Sequence, residues 1–234
     1  MKVRWKKPVR GGYLMSSIFD IMGPVMVGPS SSHTAGAVKL GRIARFIFSN
    51  EIKKAEILFH GSFANTYKGH GTDRAIIAGI LGFKPDDERI KEAIDIAKEK
   101  GIEVVFKEKE MREVHPNTAK IILSNDENKI SMLGSSIGGS DIRIIEIDEY
   151  EVDISGKLPT LWVIHHDRPG MVGTVTSILG SYSLNIANMQ NFRRKKGKTA
   201  SSIIELDHAV DEYILTHLNN VDGIWNRNKP LFIF

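Results

Sequence analysis

Gly101 divides this sequence into two hydrophobic periods, and no other feature limits its fold as strongly. Before it, Ala35, Val38, Ile43, Ala44 and Ile47 recur at near-helical spacing in HTAGAVKLGRIARFIF, which predicts a helix running on from Ser32 to Phe48. TDRAIIAGILG and DDERIKEAIDIAKEKG also read as helices, the second opened by Pro85 and two aspartates. Lys98 and Lys100 lie at the negative end of that last helix, where cations are favoured, and Gly101 stops it. In this part only AEILFHGSF, Ala55 to Phe63, reads as a buried strand. Beyond Gly101 the runs IEVVFKEKE, NTAKIILSN, NKISMLGSS and DIRIIEIDEY are strand-like, separated by turns such as SNDEN and GGS. Helices mostly first and strands last predict an α+β fold, not a doubly wound parallel sheet.

A polar stretch, EVDISGKLP, follows and reads as a linker over 151–158, between a mixed α/β domain at 15–150 and a second domain at 159–234. The second domain parses completely. TLWVIHHD is a strand, RPGMVGTVTSILGSYS a helix, and NIANMQNFRRKKG with KTASSIIELD a hairpin turning near Lys196 and Gly197. VDEYILTHLNNV is a second helix, and GIWNRNKPLFIF a last strand interrupted by Pro230. The order βαββαβ is the ferredoxin-like one. His165 and His166 end the first of these strands; adjacent strand residues point to opposite faces, so they make no metal site alone and are expected in solvent.

Composition matters for what it excludes. With 41% hydrophobic residues the chain can build ordinary cores. No apolar run approaches the roughly 20 residues of a membrane span, and none follows the basic N-terminus as in a secretory signal. A cytoplasmic protein with no membrane partner is expected. The absence of cysteine rules out disulfides and thiolate metal sites within this chain. The five basic residues Lys2, Arg4, Lys6, Lys7 and Arg10 exceed the whole net charge of +4, so 1–14 reads as a basic tail and the remainder is slightly acidic. That distribution argues against a nucleic-acid partner.

The candidate chemistry lies in four polar, glycine-bearing stretches of the first domain. GPSSSHTAG, Gly28 to Gly36, places Ser30, Ser31, Ser32, His33 and Thr34 just ahead of a helix. The serines can cap it, its free N–H groups suit a carboxylate, and His33 can exchange a proton near neutral pH. Capping serines beside a surface histidine are the plain alternative. GSFANTYKGHGTDRA sets Lys68, His70, Thr72 and Asp73 around glycines as a second loop; HPNTAK adds His115, Asn117 and Thr118; GSSIGGSD adds Gly138 and Gly139.

Together FDIMGPVMVGPSSSHTAGAVKLGRIAR, GSFANTYKGHGTDRAI, HPNTA and SIGGSDIRI, from Phe19 to Ile144, resemble the beta chain of bacterial iron–sulfur L-serine dehydratases. Ser140 departs from the Gly-Gly-Gly more usual in that last loop. The resemblance implies a lyase converting L-serine to pyruvate and ammonia, with a 4Fe–4S cluster held by a cysteine-bearing alpha subunit and none bound by this chain. It implies that His33 and Thr34 reach into the active site, His33 handling a proton or orienting the leaving hydroxyl, and that Ser30, Ser31 and Ser32 fix the carboxylate. Lys68, His70, Thr72, Asp73, His115 and Asn117 complete the expected substrate-binding set. Alone, the chain should be inert.

The second domain resembles the ACT domain, a small-molecule sensor on many amino-acid enzymes, through its apolar first strand, Asp167-Arg168-Pro169-Gly170, and the Asn-Ile strand around Asn185 and Asn188. This implies a homodimer through the ACT domain and a regulatory ligand held by Asp167, Gly170 and Asn188, with Leu161 to His166 pairing Ile186 to Gln190. An assembly element without ligand is the alternative there. For the whole chain, the alternative is a stand-alone amino-acid-binding regulatory module without catalysis.

Overall fold

The computed structural model describes residues 26–28 and 30–224. The basic tail, the domain start at Met15, Pro29 and the last strand with Pro230 lie outside the described residues. A π-helical turn, Ser31–Gly36, runs without a break into α1 (Ala37–Phe48). Then come β1 (Lys54–His60), α2 (Gly61–His70), α3 (Thr72–Ile80), a 3-10 turn at Glu88–Glu92, and α4 (Ala93–Glu99). Five strands follow: β2 (Glu103–Glu108), β3 (Thr118–Ser124), β4 (Lys129–Gly138), β5 (Asp141–Ile147) and β6 (Tyr150–Ile154). They join β1 in one sheet of order β2-β1-β3-β4-β5-β6, in which only β1 and β2 are parallel. A parallel neighbour needs a long crossover, and α2, α3 and α4 supply it.

The sheet is apolar on one face and charged on the other. Ala55, Ile57 and Phe59 of β1 are fully buried, alternating with residues that reach the far side. There Lys54 pairs with Glu103, Lys107 with Glu56, and Lys120 with Glu146 across the strands. Against the apolar face α1 and α3 cross so closely that a Cβ on Gly41 would lie 2.2 Å from the Ile76 carbonyl oxygen, and one on Gly79 2.1 Å from that of Val38. Arg45 of α1 donates from Nη1 to the Ile80 carbonyl at 3.1 Å, satisfying an open acceptor at the end of α3.

GSFANTYKGHG, read as a loop, is the helix α2. Its apolar stripe has only two large side chains: Phe63 is buried, and Tyr67, four residues on, stacks on Phe59 with ring centres 4.8 Å apart. The polar residues and Gly69 hide that stripe from a periodicity count. The linker over 151–158 begins as strand β6, because Val152 and Ile154 alternate with Glu151 and Asp153 and turn inward to 2% and 0% exposure.

The second unit is β7 (Thr160–His166), α5 (Met171–Ser181), β8 (Ile186–Lys195), β9 (Thr199–Leu206) and α6 (Glu212–Asn219). Its described strands order as β7-β9-β8, the ferredoxin-like arrangement, and the whole is an α+β fold. Ile224 bridges to His165 on the edge of β7 away from β9. The expected pairing of Leu161–His166 with Ile186–Gln190 does not occur, because β9 lies between them. His165 is also not in solvent: it is 2% exposed, with Nδ1 2.8 Å from the His166 carbonyl and Nε2 3.0 Å from Ser202 Oγ, while His166 is exposed.

Leu161, Val163, Ile204 and Leu206 pack under α5 and α6, whereas Trp162, Ile164 and Ile203 of the other face join the core of the first unit. Both faces of this small sheet are therefore covered. Trp162 meets Tyr150 of β6 edge-on at 5.9 Å. Among the described residues no helix is long and apolar enough to cross a membrane.

The crossing of α1 and α3 generates a stability prediction. Gly79→Ala forces a methyl group onto backbone and should lower unfolding free energy by about 1–3 kcal/mol, the usual range for overpacking. Gly180→Ala, in α5 with open space among the described residues around its Cβ position, should leave stability unchanged or raise it by up to about 1 kcal/mol. Urea midpoints of the two variants check the contrast; equal effects would contradict the close crossing.

Candidate active site

The π-helical turn is held in place from both ends by contacts that admit no side chain. A Cβ on Gly36 would stand 2.1 Å from Ser136 Oγ of β4, and one on Gly28 would stand 2.2 Å from Thr34 Oγ1. His33 and Thr34 are consequently buried, at 8% and 2% exposure. Ser30 caps the turn, its Oγ accepting the His33 backbone N–H at 3.3 Å. Thus the capping alternative describes Ser30. It does not describe Ser31 and Ser32, which are half-buried and whose hydroxyls have no partner among the described residues.

Helix α2 supplies the surroundings of the imidazole. The Phe63 ring lies edge-on to His33 at 5.2 Å and the His70 ring at 4.7 Å. His33 Nε2 is 3.1 Å from Thr66 Oγ1, and Nδ1 is 3.3 Å from Ser30 Oγ. Burial, and secondarily the nearby His70, push the His33 pKa below its ordinary 6.5. A group so placed is neutral at pH 7 and free to accept a proton.

In front of the turn opens a cleft of about 230 Å3, walled by Gly28, Thr34, His70, Gly71, Arg74 and Lys91. It is smaller than the roughly 300–1,000 Å3 of pockets for drug-sized molecules and suits a small metabolite. His33 lies behind His70 and is not on the cleft wall itself. Arg74 and Lys91, absent from the sequence-derived site, bring positive charge to it. Lys91 is partnered by Glu88 at 2.9 Å, whereas Arg74 stands 4.0 Å from Asp73. One signal for Arg74 was available. It occupies the first turn of α3, where the helix dipole disfavours a cation.

The other expected site residues are placed unevenly. Thr72 is fully buried, and its Oγ1 has no partner among the described residues. Asp73 turns its carboxylate back onto the Arg74 backbone N–H at 2.8 Å, and burial raises its pKa. Lys68 is exposed over the Tyr67 ring, away from the cleft wall. His115 is exposed, its Nδ1 accepting from the Asn117 N–H at 3.1 Å in a local turn. That turn is nevertheless joined to the site: the Asn117 carbonyl accepts the Ser136 N–H at 2.9 Å, and Gly61 packs on the Pro116 backbone. The turn carrying Gly138 and Gly139 is tied to α1 by Lys39, which donates to the Ser140 carbonyl at 2.9 Å. Ser140 itself has a φ of 66°, in the region that favours glycine.

The regulatory set is not assembled within one chain. Asn188 and Thr160 are both opposite Glu205, at the start of β7, whereas Asp167 and Gly170 follow its end. Six residues of extended strand separate the two places, about 20 Å. Asn188 Nδ2 donates to Glu205 Oε2 at 3.1 Å. Asp167 accepts the Gly197 N–H at 2.8 Å and pairs with Arg193, contacts that lower its pKa, the backbone bond most. Both side chains are engaged in holding the hairpin.

An iron–sulfur cluster does not fit these residues. Thiolates are its ligands, the chain has no cysteine, and no three His, Asp or Glu side chains gather into a metal-binding group among the described residues.

Comparison with known proteins bears on this geometry. The family described as serine dehydratase beta chain matches residues 17–144. The probable L-serine dehydratase, beta chain, of Bacillus subtilis (strain 168) is 47% identical over 208 residues, 89% of this chain and 94% of that protein. The L-serine dehydratase, beta chain, of Peptoniphilus asaccharolyticus is 39% identical over 209 residues, 88% of this chain and 94% of its own length. The D-3-phosphoglycerate dehydrogenase of Methanocaldococcus jannaschii is 30% identical over 189 residues, 80% of this chain but 36% of that protein. With the family match covering the turn that holds His33, the cleft and the sheet strands up to Ile144, the chain belongs to the serine dehydratase beta-chain family.

Proposed function

We propose that this chain is the beta subunit of a two-chain L-serine dehydratase that forms pyruvate and ammonia, and that it completes the active site of a cysteine-bearing alpha subunit. The observation that carries the reading is His33: a buried imidazole held neutral beside a cleft of metabolite size. Elimination from serine removes the α-proton and the β-hydroxyl; the resulting enamine tautomerises and hydrolyses to pyruvate and ammonia. His33 handles a proton of that sequence or orients the leaving hydroxyl. Arg74 and the uncommitted hydroxyls of Ser31 and Ser32 receive the substrate carboxylate. Hydroxide is a poor leaving group, so an electrophile is needed. Because this chain has no donor set for a cluster, the alpha subunit is the place for a 4Fe–4S centre.

In the ACT unit, the outer edge of β8 is unpaired among the described residues, which suits pairing with a second copy of the chain. An amino-acid effector would then be held between copies, since Asn188 and the Asp167–Gly170 turn lie at opposite ends of one sheet.

Three outcomes are expected. The purified chain alone should give no pyruvate from L-serine, and anaerobic addition of the alpha subunit should restore it; turnover by the chain alone would overturn the two-chain reading. In the assembled enzyme His33→Ala should lower kcat by about 100-fold or more, the scale of a lost acid–base group, with circular dichroism unchanged. Ser31→Ala and Arg74→Gln should act mainly on KM, the serine by about 1 kcal/mol for a lost hydrogen bond. The third outcome is a pH profile. Since the folded His33 pKa lies below 6.5, its neutral form persists under that pH, and the acid limb of kcat should fall there. The same sign holds for folding: what this group contributes to stability is present above 6.5 and lost as pH falls through the lowered folded value.

A further inference from the structure

Thr66 of α2 is half-buried against His33 and does not line the cleft, and its hydroxyl has one hydrogen to give. That hydrogen goes to the Ser62 carbonyl oxygen one turn earlier in α2, at 2.6 Å, a back-bond common for threonine in helices. A carbonyl only accepts, so toward His33 Nε2, 3.1 Å away, Thr66 Oγ1 is left with lone pairs alone. With Thr66 so bonded, the imidazole hydrogen belongs on Nε2. A neutral imidazole has one N–H, which leaves Nδ1 bare. The other side of the ring agrees: Ser30 Oγ accepts the His33 backbone N–H and can turn its own hydrogen to Nδ1, 3.3 Å away. Every donor then meets an acceptor, whereas the opposite tautomer would require Thr66 to turn its hydrogen to Nε2 and give up the 2.6 Å bond to the Ser62 carbonyl.

We infer that Thr66 is a positioning residue, whose hydroxyl, anchored on the Ser62 carbonyl, fixes His33 as the Nε2–H tautomer so that a proton is accepted at Nδ1. This rests on the reading of His33 as an acid–base group. When Nδ1 takes a proton the ring becomes imidazolium, both nitrogens are donors, and the Nε2–H bond to Thr66 is retained without rearrangement. Return of the proton from Nδ1 restores the starting state. The phenyl ring of Phe63 and the imidazole of His70 limit rotation of the ring, but neither selects a tautomer as the Thr66 acceptor does.

The test has two readouts. In the 15N-histidine-labelled full chain at neutral pH, the His33 ring nitrogens should show the Nε2–H form. Thr66→Ser should keep that form, and Thr66→Val, which matches threonine in shape but cannot accept, should lose the preference. In the enzyme assembled with its alpha subunit, Thr66→Val should lower kcat about tenfold or more with KM changed less than about threefold, as when a catalytic histidine is held in the wrong tautomer. Thr66→Ser should restore kcat. An Nδ1–H form in the unmodified chain overturns the inference. So does an unchanged tautomer in Thr66→Val, or an unchanged kcat for that variant in an enzyme that His33→Ala inactivates. If the tautomers behave as expected but His33→Ala keeps full activity, the tautomer assignment stands and the acid–base reading of His33 falls.

Discussion

Close approach at glycine is the constraint on which the remaining structure depends. Gly36 lets the π-helical turn rest directly on Ser136 of the sheet, and Gly41 with Gly79 lets α1 and α3 touch backbone to backbone. The first contact sets how deep His33 lies; the second sets where α3 starts, and with it Gly71 and Arg74 on the cleft wall. Burial lowers the histidine's proton affinity, so the depth fixed by Gly36 is also an electrostatic setting. A side chain at Gly41 or Gly79 would move backbone, because it meets main-chain oxygens that no rotamer change can clear, and one at Gly36 would collide with the Oγ and Cβ of Ser136.

The second unit is joined to the first through a sheet covered on both faces. Trp162, Ile164 and Ile203 extend the first core. Beside them Glu205 accepts from Ser155 Oγ at 2.6 Å and from Asn188 Nδ2 at 3.1 Å, so one carboxylate bridges the end of β6 and the edge strand β8. Gln190 adds a bond to the Asp153 carbonyl. A ligand that recruited the Asn188 amide would have to release it from Glu205. β6 in turn pairs with β5, whose turn at Ser140 Lys39 holds against α1.

Much of the fold was legible because its signals are local. The helices around Val38 and Ile76, the stop at Gly101 with φ 75°, and the βαββα order of the second unit each rest on period and capping chemistry. What escaped was set by tertiary contacts. The large side chains of the α2 stripe are Phe63 and Tyr67, which become a pattern only when Phe59 stands opposite. β6 was hidden by acidic residues on its outer face. At the site, grouping the polar stretches led to the region around His33, but chain order could not separate residues with free polar groups from those spent on the backbone. Ser30, Asp73 and His115 each bond main-chain N–H groups. Thr66 and Arg74 sat within a quoted motif and were passed over, Thr66 because its relation to His33 exists only across two elements.

In the proposed function the turn holding His33 and the cleft beside it form a face completed by another chain. Hydrogen–deuterium exchange of this chain, alone and in anaerobic complex with its alpha subunit, measures that directly. Protection gained on complex formation should concentrate at 30–36, 66–74 and 136–140, with little change along α5 and α6. Protection confined to the second unit, with the His33 turn exchanging as in the free chain, would contradict the account.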